Sequence, residues 1–359
     1  MKIVILGLTI TSSWGNGHAT TYRGLMRELV ARGHEVLFLE RDKPWYANNR
    51  DLPRPPYGRT ELYEDLADLK LRFTEDIRSA DCVITGSYVP EGIDAGTWVT
   101  SLAPGVTAFY DIDTPVTLAK LAAGDCEYLT PEMIPRYDLY LSFTGGTTLE
   151  LLEKQYRSPR ARQLACSFDP ELYFPDPSPA QWDLGYMGTY SDDRQPVLDR
   201  LMLQAARIWD GGRFVVAGPQ YPGGIVWPDN VTRIDHLPPS DHRAFYCSQR
   251  FTLNVTRADM VRAGYSPSVR LFEAAACGVP VISDYWDGLE EYFVPGQEIL
   301  ISRSPEQTLS LIRDIDDPAR IRIGEAALLR ANRSHTAAHR ARELEAHINE
   351  ANVHGMSSR

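Results

Sequence analysis

The chain has 359 residues, of which 43% are hydrophobic and 24% are charged, and its formal net charge is −11. That length exceeds what one hydrophobic core usually serves, so two domains are expected. The acidic balance argues against nucleic acid as a partner. No apolar run approaches the ~20 residues of a membrane span, so none is expected.

Five cysteines are scattered along the chain, and none forms a Cys-x-x-Cys pair. This pattern excludes a recognisable zinc knuckle and indicates reduced thiols, which predicts a cytoplasmic protein. The apolar run from Lys2 to Leu8 is too short for a signal peptide and predicts a first strand.

Short apolar runs alternate with helical patterns along the whole chain, which predicts an α/β protein with parallel sheets. The predicted strands cover residues 2–8, 35–40, 82–85, 106–110, 139–143, 184–188, 213–217, 231–234, 251–255, 279–283 and 298–301. The clearest predicted helices cover residues 17–32, 145–156, 195–209, 269–277 and 305–315.

A proline-rich segment at residues 169–179 predicts a boundary between two Rossmann-like domains, residues 1–170 and 171–335. The polar tail at residues 318–352 predicts one or two long helices, and we expect residues 336–359 to pack back on the first domain. Ligands of such folds lie at the carboxyl ends of the strands, so we expect a central cleft that both sheets face.

The first candidate site is the glycine-containing loop after the first strand. Gly15 and Gly17 permit close backbone approach, and the helix that follows favours an anion or a hydroxyl at its N-terminus. With Glu40, the loop imitates a dinucleotide fingerprint, although it is long and Thr20 replaces the third glycine. His18 is a candidate general base, and the alternative is a histidine that caps the helix or binds a loop carbonyl.

Asp111 and Asp113 follow the strand at residues 106–110. They are candidates for contact with, or activation of, an acceptor hydroxyl, and the alternatives are a metal site or a helix cap. The same Asp-x-Asp pattern recurs at residues 314–316 in an ordinary helix end, so it is a weak signal. Gly145 and Gly146 follow the next strand and predict either a backbone cradle for an anion or hydroxyl, or a tight turn.

In the second half, Gly188 and Arg194 follow the first predicted strand. Glycine frees the backbone for close approach, and a guanidinium binds phosphate oxygens in a bidentate manner. These residues predict a phosphate contact. The alternative is that Arg194 pairs with Asp192 or Asp193.

Three arginines, Arg257, Arg262 and Arg270, precede or begin a short apolar helix, and we expect them to converge on a diphosphate. Glu273 lies one turn into this helix, where an ionised carboxylate is costly unless something pairs with it. A sugar or ribose hydroxyl is one partner, and a buried ion pair with Arg270 is the alternative.

Three stretches of the second half form one pattern: the run Ser268-Val-Arg-Leu-Phe-Glu-Ala-Ala-Ala-Cys-Gly-Val-Pro-Val-Ile-Ser-Asp284, residues 287–291 and residues 295–300. In this pattern the chain resembles the two-domain (GT-B) glycosyltransferases. It looks most like the CgeB-like group with the glycosyl transferase group 1-like pattern. The resemblance is looser in the first half, at residues 15–18, 111–115 and 142–146.

This resemblance implies a nucleotide-diphosphate sugar as co-substrate, with a UDP-sugar favoured, no further cofactor and no metal. By it, Glu273 holds the ribose, Gly188 and Arg194 lie by the phosphates, and Gly288 faces the donor sugar or diphosphate. Tyr265 stands where many related enzymes carry a second glutamate that contacts the donor sugar.

The donor-binding candidates by sequence and resemblance are Gly188, Arg194, Arg257, Tyr265, Ser268, Arg270, Glu273 and Gly288. The acceptor is expected near the first domain and is not identified. If transfer inverts the sugar, His18 or Asp113 takes the acceptor proton; if it retains configuration, they position the acceptor. The alternatives are an NAD- or FAD-dependent oxidoreductase, a non-catalytic nucleotide-sugar-binding protein and, less favoured, a sugar-nucleotide epimerase.

Overall fold

The chain forms two α/β units in a computed structural model, which describes residues 1–176 and 178–357. The first unit contains Met1–Cys166 together with residues 337–357, and the second contains Ser167–Thr336. Each unit is built around one parallel sheet flanked by helices. The predicted fold class, two Rossmann-like domains with parallel sheets, is confirmed.

The first unit has a seven-stranded sheet, and all of its strand pairs are parallel. Its strands are β1 (Lys2–Gly7), β2 (Glu35–Arg41), β3 (Arg59–Tyr63), β4 (Cys82–Gly86), β5 (Val106–Asp111), β6 (Leu139–Ser142) and β7 (Ala161–Gln163). The order across the sheet is β3-β2-β1-β4-β5-β6-β7, so the direction of winding reverses between β1 and β4. Such a reversal is the point at which open parallel sheets bind ligands.

Helices of the first unit connect successive strands, and the last segment of the chain adds one more helix. They are α1 (His18–Ala31), α2 (Pro44–Ala47), α3 (Leu66–Arg78), α4 (Gly92–Leu102), α5 (Thr114–Ala123), a 3-10 turn (Ile134–Arg136), α6 (Thr147–Lys154) and α14 (Ala337–Ser357). Helix α14 packs on α1, where Ala337 faces Gly24 and Glu345 pairs with Arg32.

The second unit has a six-stranded parallel sheet with the order β10-β9-β8-β11-β12-β13. Its strands are β8 (Trp182–Met187), β9 (Phe214–Ala217), β10 (Val231–Ile234), β11 (Gln249–Asn254), β12 (Val281–Ser283) and β13 (Leu300–Ile301). Here the winding reverses between β8 and β11, which pair directly, with Leu184 opposite Phe251.

The helices of the second unit include one continuous segment with a π-helical turn in its middle. They are α7 (Gln195–Leu198), the π turn (Asp199–Leu203), α8 (Gln204–Ile208), α9 (Pro239–Cys247), α10 (Ala258–Ala263), α11 (Val269–Ala276), a 3-10 turn (Leu289–Glu291), α12 (Pro305–Asp314) and α13 (Asp317–Ser334). Over the described part of the chain, no helix is both long and apolar enough to cross a membrane.

Two strands were absent from the sequence prediction, and both lie at an edge of the first sheet. Strand β3 carries Arg59 and Glu61, and strand β7 is only three residues long. An edge strand pairs on one side only and is more exposed, so it does not need the continuous apolar run of a central strand. The predicted central strands are all present, with ends that differ by one to two residues.

Candidate functional site

In the first unit, three polar side chains meet at the reversal between β1 and β4. His18 begins α1 after the loop that follows β1, Tyr88 follows β4, and Asp113 follows β5. The His18 and Tyr88 rings pack edge to face with centroids 5.4 Å apart, and the Tyr88 hydroxyl donates to Asp113 Oδ2 at 3.1 Å. We call these three residues the His18 cluster. The structure therefore brings two predicted residues, His18 and Asp113, together through a third.

His18 is a neutral, buried imidazole. Only 8% of the residue is exposed, and burial lowers its pKa to about 4. Its Nδ1 atom makes no hydrogen bond within the described residues, which is costly for a buried polar atom. An unprotonated ring nitrogen can accept a proton or a hydrogen bond, and the role of His18 as a base stays a prediction.

Tyr88 was missed by the sequence analysis. Its backbone has φ of 62°, in the left-handed region that residues other than glycine rarely adopt. Burial, and then the charge of Asp113, raise the pKa of Tyr88, so its hydroxyl stays protonated and donates a hydrogen bond to the Asp113 carboxylate. The one available signal was its position just after a predicted central strand, where ligand-binding loops of parallel sheets begin.

Asp111 does not point toward a ligand, so that prediction is wrong. The residue is fully buried, and its two oxygens accept hydrogen bonds from Tyr140 at 2.6 Å and Thr117 at 2.7 Å. Burial raises its pKa to about 6 in spite of these bonds. Asp111 braces the junction between β5 and α5, and the acceptor role stays a prediction for Asp113 alone.

Glu40, which supported the dinucleotide alternative, is also engaged within the protein. It is fully buried, and Oε2 accepts from the backbone N–H groups of Ile10 and Thr11 at 2.7 and 3.0 Å. Its other oxygen, Oε1, accepts from the Thr11 hydroxyl at 2.6 Å. The carboxylate therefore fixes the loop after β1 and is not presented to a ribose, which removes the main support for a nicotinamide or flavin site.

The glycines before α1 have open space around them, because a Cβ atom at Gly15 or Gly17 would meet nothing within 4 Å. Between them, Asn16 Oδ1 accepts from the backbone N–H groups of His18 and Ala19 at 3.1 and 3.2 Å. These two helix N–H groups are thus capped by the chain itself. A ligand contact at the glycines stays a prediction.

Gly145 and Gly146 have local structural reasons to be glycine. A Cβ atom at Gly145 would lie 2.8 Å from the Gln163 side chain, which itself donates to the Phe143 carbonyl. Gly146 has φ of 57° immediately before α6. The arrangement favours the tight-turn alternative, and a ligand contact here stays a prediction.

In the second unit, Arg270 lies at the reversal between β8 and β11. Its Nε donates to the Met187 carbonyl at the end of β8, and its Nη1 donates to Asn254 Oδ1 at the end of β11, at 2.8 Å. The guanidinium lies 4.9 Å from the centre of the Tyr186 ring, and only 8% of the residue is exposed. A fixed cation therefore joins the ends of the two central strands.

Asn254 is a second residue that the sequence analysis did not select. Its Oδ1 accepts from Arg270 and from the Ser268 hydroxyl at 2.8 Å, while its Nδ2 donates to Thr256 and Ser283. It is fully buried, so a complete set of partners is expected. Its signal was a polar residue inside the apolar run of a predicted strand.

Gly188 is required by this arrangement. A Cβ atom there would lie 2.8 Å from Arg270 Nη2 and 2.6 Å from the Tyr186 hydroxyl. The structure thus brings together three predicted donor-binding residues, Gly188, Ser268 and Arg270, around the ends of β8 and β11.

The three arginines expected to converge on a diphosphate have different partners within the protein, and their convergence stays a prediction. Arg262 is 70% exposed on α10 and pairs with Asp259, whereas Arg257 lies 3.7 Å from Asp193. Only Arg270 is built into the end of the sheet.

Arg194 donates to the Thr189 carbonyl at 2.7 Å rather than to its neighbouring aspartates. Asp193 instead accepts from the backbone N–H of Ala258 at 2.9 Å. Although burial opposes ionisation, hydrogen bonds from Ser191 and Ala258 hold the pKa of Asp193 below its usual value. A phosphate contact of Arg194 stays a prediction.

Glu273 is 4% exposed, and a hydroxyl group of this same unit binds it. Tyr246, on α9, donates to its Oε2 at 3.2 Å. The buried carboxyl group therefore has a partner within the protein, and the alternative ion pair with Arg270 does not form. Because the protein itself supplies a hydrogen-bond donor to this buried carboxyl group, its burial does not require a ligand hydroxyl as partner. The ribose contact of Glu273 therefore stays a prediction.

Tyr265 and Gly288, both predicted to be near the donor, lie against each other. A Cβ atom at Gly288 would lie 2.3 Å from the Tyr265 ring, and Gly288 has φ of 87°. The Tyr265 N–H donates to the Asp287 carbonyl at 2.6 Å, and its own φ is 49°. These contacts fix Tyr265 against the turn at Gly288, and a donor contact of either residue stays a prediction.

A cavity of about 440 Å³ opens at the carboxyl ends of β11, β12 and β13. Its walls include Thr256, Asp284 and Ser302, which follow these strands, and the arginines Arg200, Arg262 and Arg303. Its volume lies in the range of small-molecule sites. Among residues 1–176 and 178–357, no three His, Cys, Asp or Glu side chains gather as metal ligands.

Comparison with known families shows a match over residues 194–346 to a family described as glycosyl transferase-like. This agrees with the glycosyl transferase group 1-like pattern found around α11, and it does not distinguish the narrower CgeB-like group. No curated protein matches the chain in sequence.

Several solved structures share the fold over nearly the whole chain. Sucrose-phosphate synthase from Thermosynechococcus elongatus is 16% identical with a TM-score of 0.68, over 98% of this chain and 100% of that one. Anabaena HepE in complex with UDP-glucose is 12% identical with a TM-score of 0.71, over 98% of this chain and 100% of that one. An alpha-glucosyltransferase in complex with UDP-glucose and DNA is 15% identical with a TM-score of 0.74, over 97% of this chain and 99% of that one.

Proposed function

We propose that this glycosyl transferase-like chain moves a sugar, a hexose in our assignment, from a nucleotide-diphosphate sugar to an acceptor hydroxyl. Residues 194–346 match that family, and the solved structures that share the fold include enzymes bound to UDP-glucose. We further assign it to the CgeB-like group, on the pattern around α11.

The observation that carries the donor assignment is Arg270. It is a buried cation in a chain of net charge −11, held by Met187 and Asn254 at the reversal of the second sheet. Negative charge grows on the diphosphate as the sugar departs, and a fixed guanidinium stabilises that charge without having to reorganise. Asn254, which binds Arg270, also donates to Thr256, a wall residue of the cavity of about 440 Å³, and we assign the rest of the donor to that cavity.

The acceptor assignment rests on the His18 cluster at the reversal of the first sheet. His18 offers an unprotonated nitrogen, and Asp113 is oriented by the Tyr88 hydroxyl. If transfer inverts the sugar, one of these groups takes the acceptor proton. If transfer retains configuration, the same groups orient the acceptor.

We propose a UDP-sugar as the donor and a reaction without a divalent metal, with the arginines supplying the positive charge. We also propose that the acceptor is not nucleic acid, because the chain carries a net charge of −11. A thermal-shift series with UDP-, GDP- and dTDP-sugars, each with and without EDTA, checks the donor and the metal together. Stabilisation by a UDP-sugar that EDTA leaves unchanged is the expected result, since a ligand bound to the native state raises its apparent stability.

Arg270→Ala is expected to abolish the shift produced by UDP and to lower turnover by at least about a hundredfold, the scale of a lost charge-stabilising donor. Arg320→Ala is the matched control, since Arg320 pairs with Asp317 on α13. If the Arg270 variant keeps its fold by circular dichroism and still binds and uses the donor, the assignment is wrong.

A non-catalytic nucleotide-sugar-binding protein is the second candidate. Tyr265 favours it, because the tyrosine is fixed against Gly288 where related enzymes place a donor-contacting glutamate. Release of UDP from a UDP-sugar in the absence of acceptor separates the two functions. If the protein binds a UDP-sugar but releases UDP from none of the UDP-sugars supplied, the second candidate is supported.

A further inference from the structure

Two arginines that line the cavity of the second unit have no ionic partner among the residues that the structure describes. Arg200 lies in the π turn after β8, and Arg303 lies just after the edge strand β13. Both residues are exposed, and the Arg303 guanidinium lies 5.9 Å from the centre of the Tyr285 ring, another wall of the cavity. Two guanidinium groups from separate segments of the chain therefore border one cavity of about 440 Å³.

The other charged groups in the walls are engaged within the protein. Asp284 accepts hydrogen bonds from the N–H group and the hydroxyl of Thr256, at 3.1 and 2.9 Å. Asp193 lies 3.7 Å from Arg257, and Arg262 pairs with a carboxylate of its own helix, α10. Over residues 1–176 and 178–357, the wall cations that make no ion pair are therefore the arginines at positions 200 and 303.

Arg200 is held at the cavity by an unusual turn. The segment from Gln195 to Ile208 is α-helical at both ends and π-helical over Asp199–Leu203. Single π turns inside α-helices are rare and occur frequently at functional sites. The three residues after Arg200 are buried in the core of the second unit, so they fix the turn while Arg200 stays exposed. The turn is a second observation, independent of the charges, that points to a function for this wall.

One hydrogen-bond network joins the cavity to Arg270. Asn254 accepts from Arg270 at 2.8 Å and donates to Thr256 at 3.1 Å, and Thr256 donates to Asp284. By the proposed function, Arg270 binds the diphosphate, and the cavity takes the rest of the donor. The nucleoside part of that donor is neutral, so a negative group in the cavity belongs to the sugar.

We propose that the cavity selects a donor whose sugar is acidic, a UDP-hexuronic acid, and that Arg200 and Arg303 bind its carboxylate. This inference rests on the proposed function, because it specifies the sugar of that donor. A carboxylate accepts two parallel hydrogen bonds from a guanidinium, and charge-assisted bonds of this kind are about twice as strong as neutral ones. A neutral hexose has only a hydroxyl at the same carbon, so it leaves both guanidinium groups to water.

The overall charge of the protein cannot produce this preference. The chain carries a net charge of −11, so its distant charges oppose a ligand with one more negative charge. Tighter binding of the acidic sugar therefore requires cations close to it, and the two arginines without ion pairs supply them. Because both residues are exposed, added salt should reduce the preference.

The test is calorimetric titration of the full-length protein with UDP, UDP-glucose and UDP-glucuronic acid at low ionic strength. The two sugars differ only at C6, which is a hydroxymethyl group in one and a carboxylate in the other. UDP-glucuronic acid should bind at least about tenfold more tightly than UDP-glucose, the scale of a hydrogen bond to a charged group. Equal or weaker binding would overturn this inference, and the binding of UDP-glucose in the same series would leave the proposed function standing. If none of the three ligands binds, the proposed function is wrong as well.

Variants assign the preference to the two arginines. Arg200→Ala and Arg303→Ala should each reduce the ratio of the two dissociation constants at least about threefold, and the double variant should bring the ratio close to one. Arg322→Ala is the matched control, because Arg322 is also exposed but lies on α13 outside the cavity walls, and it should keep the ratio. Circular dichroism checks that each variant is folded. If the folded double variant keeps the wild-type ratio, these arginines do not read the sugar.

Discussion

The protonation of His18 is set by its burial, and this has a measurable effect on stability. The pKa is about 4 in the folded chain and 6.5 in an exposed imidazole, so the unfolded state binds more protons between these values. Stability from this residue is therefore complete above pH 6.5 and falls as the pH decreases toward 4. Each unit of pKa difference corresponds to about 1.4 kcal/mol, so the loss between pH 7 and pH 5 is about 2 kcal/mol.

His18→Gln is expected to remove this pH dependence. Urea unfolding at pH 7 and pH 5 should show a decrease in the free energy of unfolding that is about 2 kcal/mol smaller in the variant than in the wild type. A packing change caused by the substitution is the same at both pH values, and other titrating groups such as Asp111 are present in both proteins, so both effects cancel in the comparison. An identical decrease in both proteins would mean that His18 titrates as an exposed histidine.

Two tyrosines make the same kind of hydrogen bond to two neighbouring aspartates, which gives a matched pair of variants. Tyr88→Phe releases Asp113 in the His18 cluster and should lower kcat about thirtyfold, because a charge-assisted hydrogen bond of about 2 kcal/mol orients that carboxylate. Tyr140→Phe releases the buried Asp111 and should lower stability with little change in the kcat of the folded fraction. Steady-state kinetics and urea unfolding, measured on both variants, distinguish the two effects. If Tyr140→Phe lowered kcat and Tyr88→Phe lowered only stability, the roles assigned to the two aspartates would be reversed.

At the scale of elements, α13 rests directly on the turn that ends α11. A Cβ atom at Gly324, in the middle of α13, would lie 2.1 Å from the Gly278 carbonyl oxygen. Alanine favours a helix by only about 1 kcal/mol, so the collision dominates. The close approach of two backbones therefore depends on this glycine.

Gly324→Ala should lower the free energy of unfolding by about 2 kcal/mol, measured by chemical denaturation. Gly223→Ala is the control, since nothing lies within 4 Å of a Cβ atom there and its backbone needs no special angle. The control should change stability by less than about 0.5 kcal/mol. If the two variants are equally stable, α13 has room to shift away from the turn.

At the scale of the whole molecule, the first unit is completed by the last segment of the chain. Helix α14 buries Ala341, Leu344 and Ile348 completely, and Glu350 pairs with Arg162 beside β7. The apolar side of α1 and of the first sheet therefore depends on residues that follow the second unit in sequence.

Deletion of residues 337–359 is expected to destabilise the first unit selectively. Hydrogen exchange should accelerate in α1 and β5 and remain unchanged in β8 and β11, because local stability follows the contacts that each unit buries. The thermal shift produced by a UDP-sugar should persist, since Arg270 lies in the other unit. Uniform acceleration in both sheets would show that the units unfold together.

The sequence by itself determined the two parallel sheets, because buried central strands require continuous apolar runs and short connections leave little choice of order. It also indicated the segments that follow the strands, where the candidates His18, Asp113 and Gly188 lie. Only the tertiary structure decided which polar groups are already satisfied. In the sequence, the carboxylates Glu40, Asp111 and Glu273 cannot be told apart from Asp113. The reason is that the partners of a carboxylate, such as Tyr140 for Asp111 and Tyr246 for Glu273, come from distant segments of the chain.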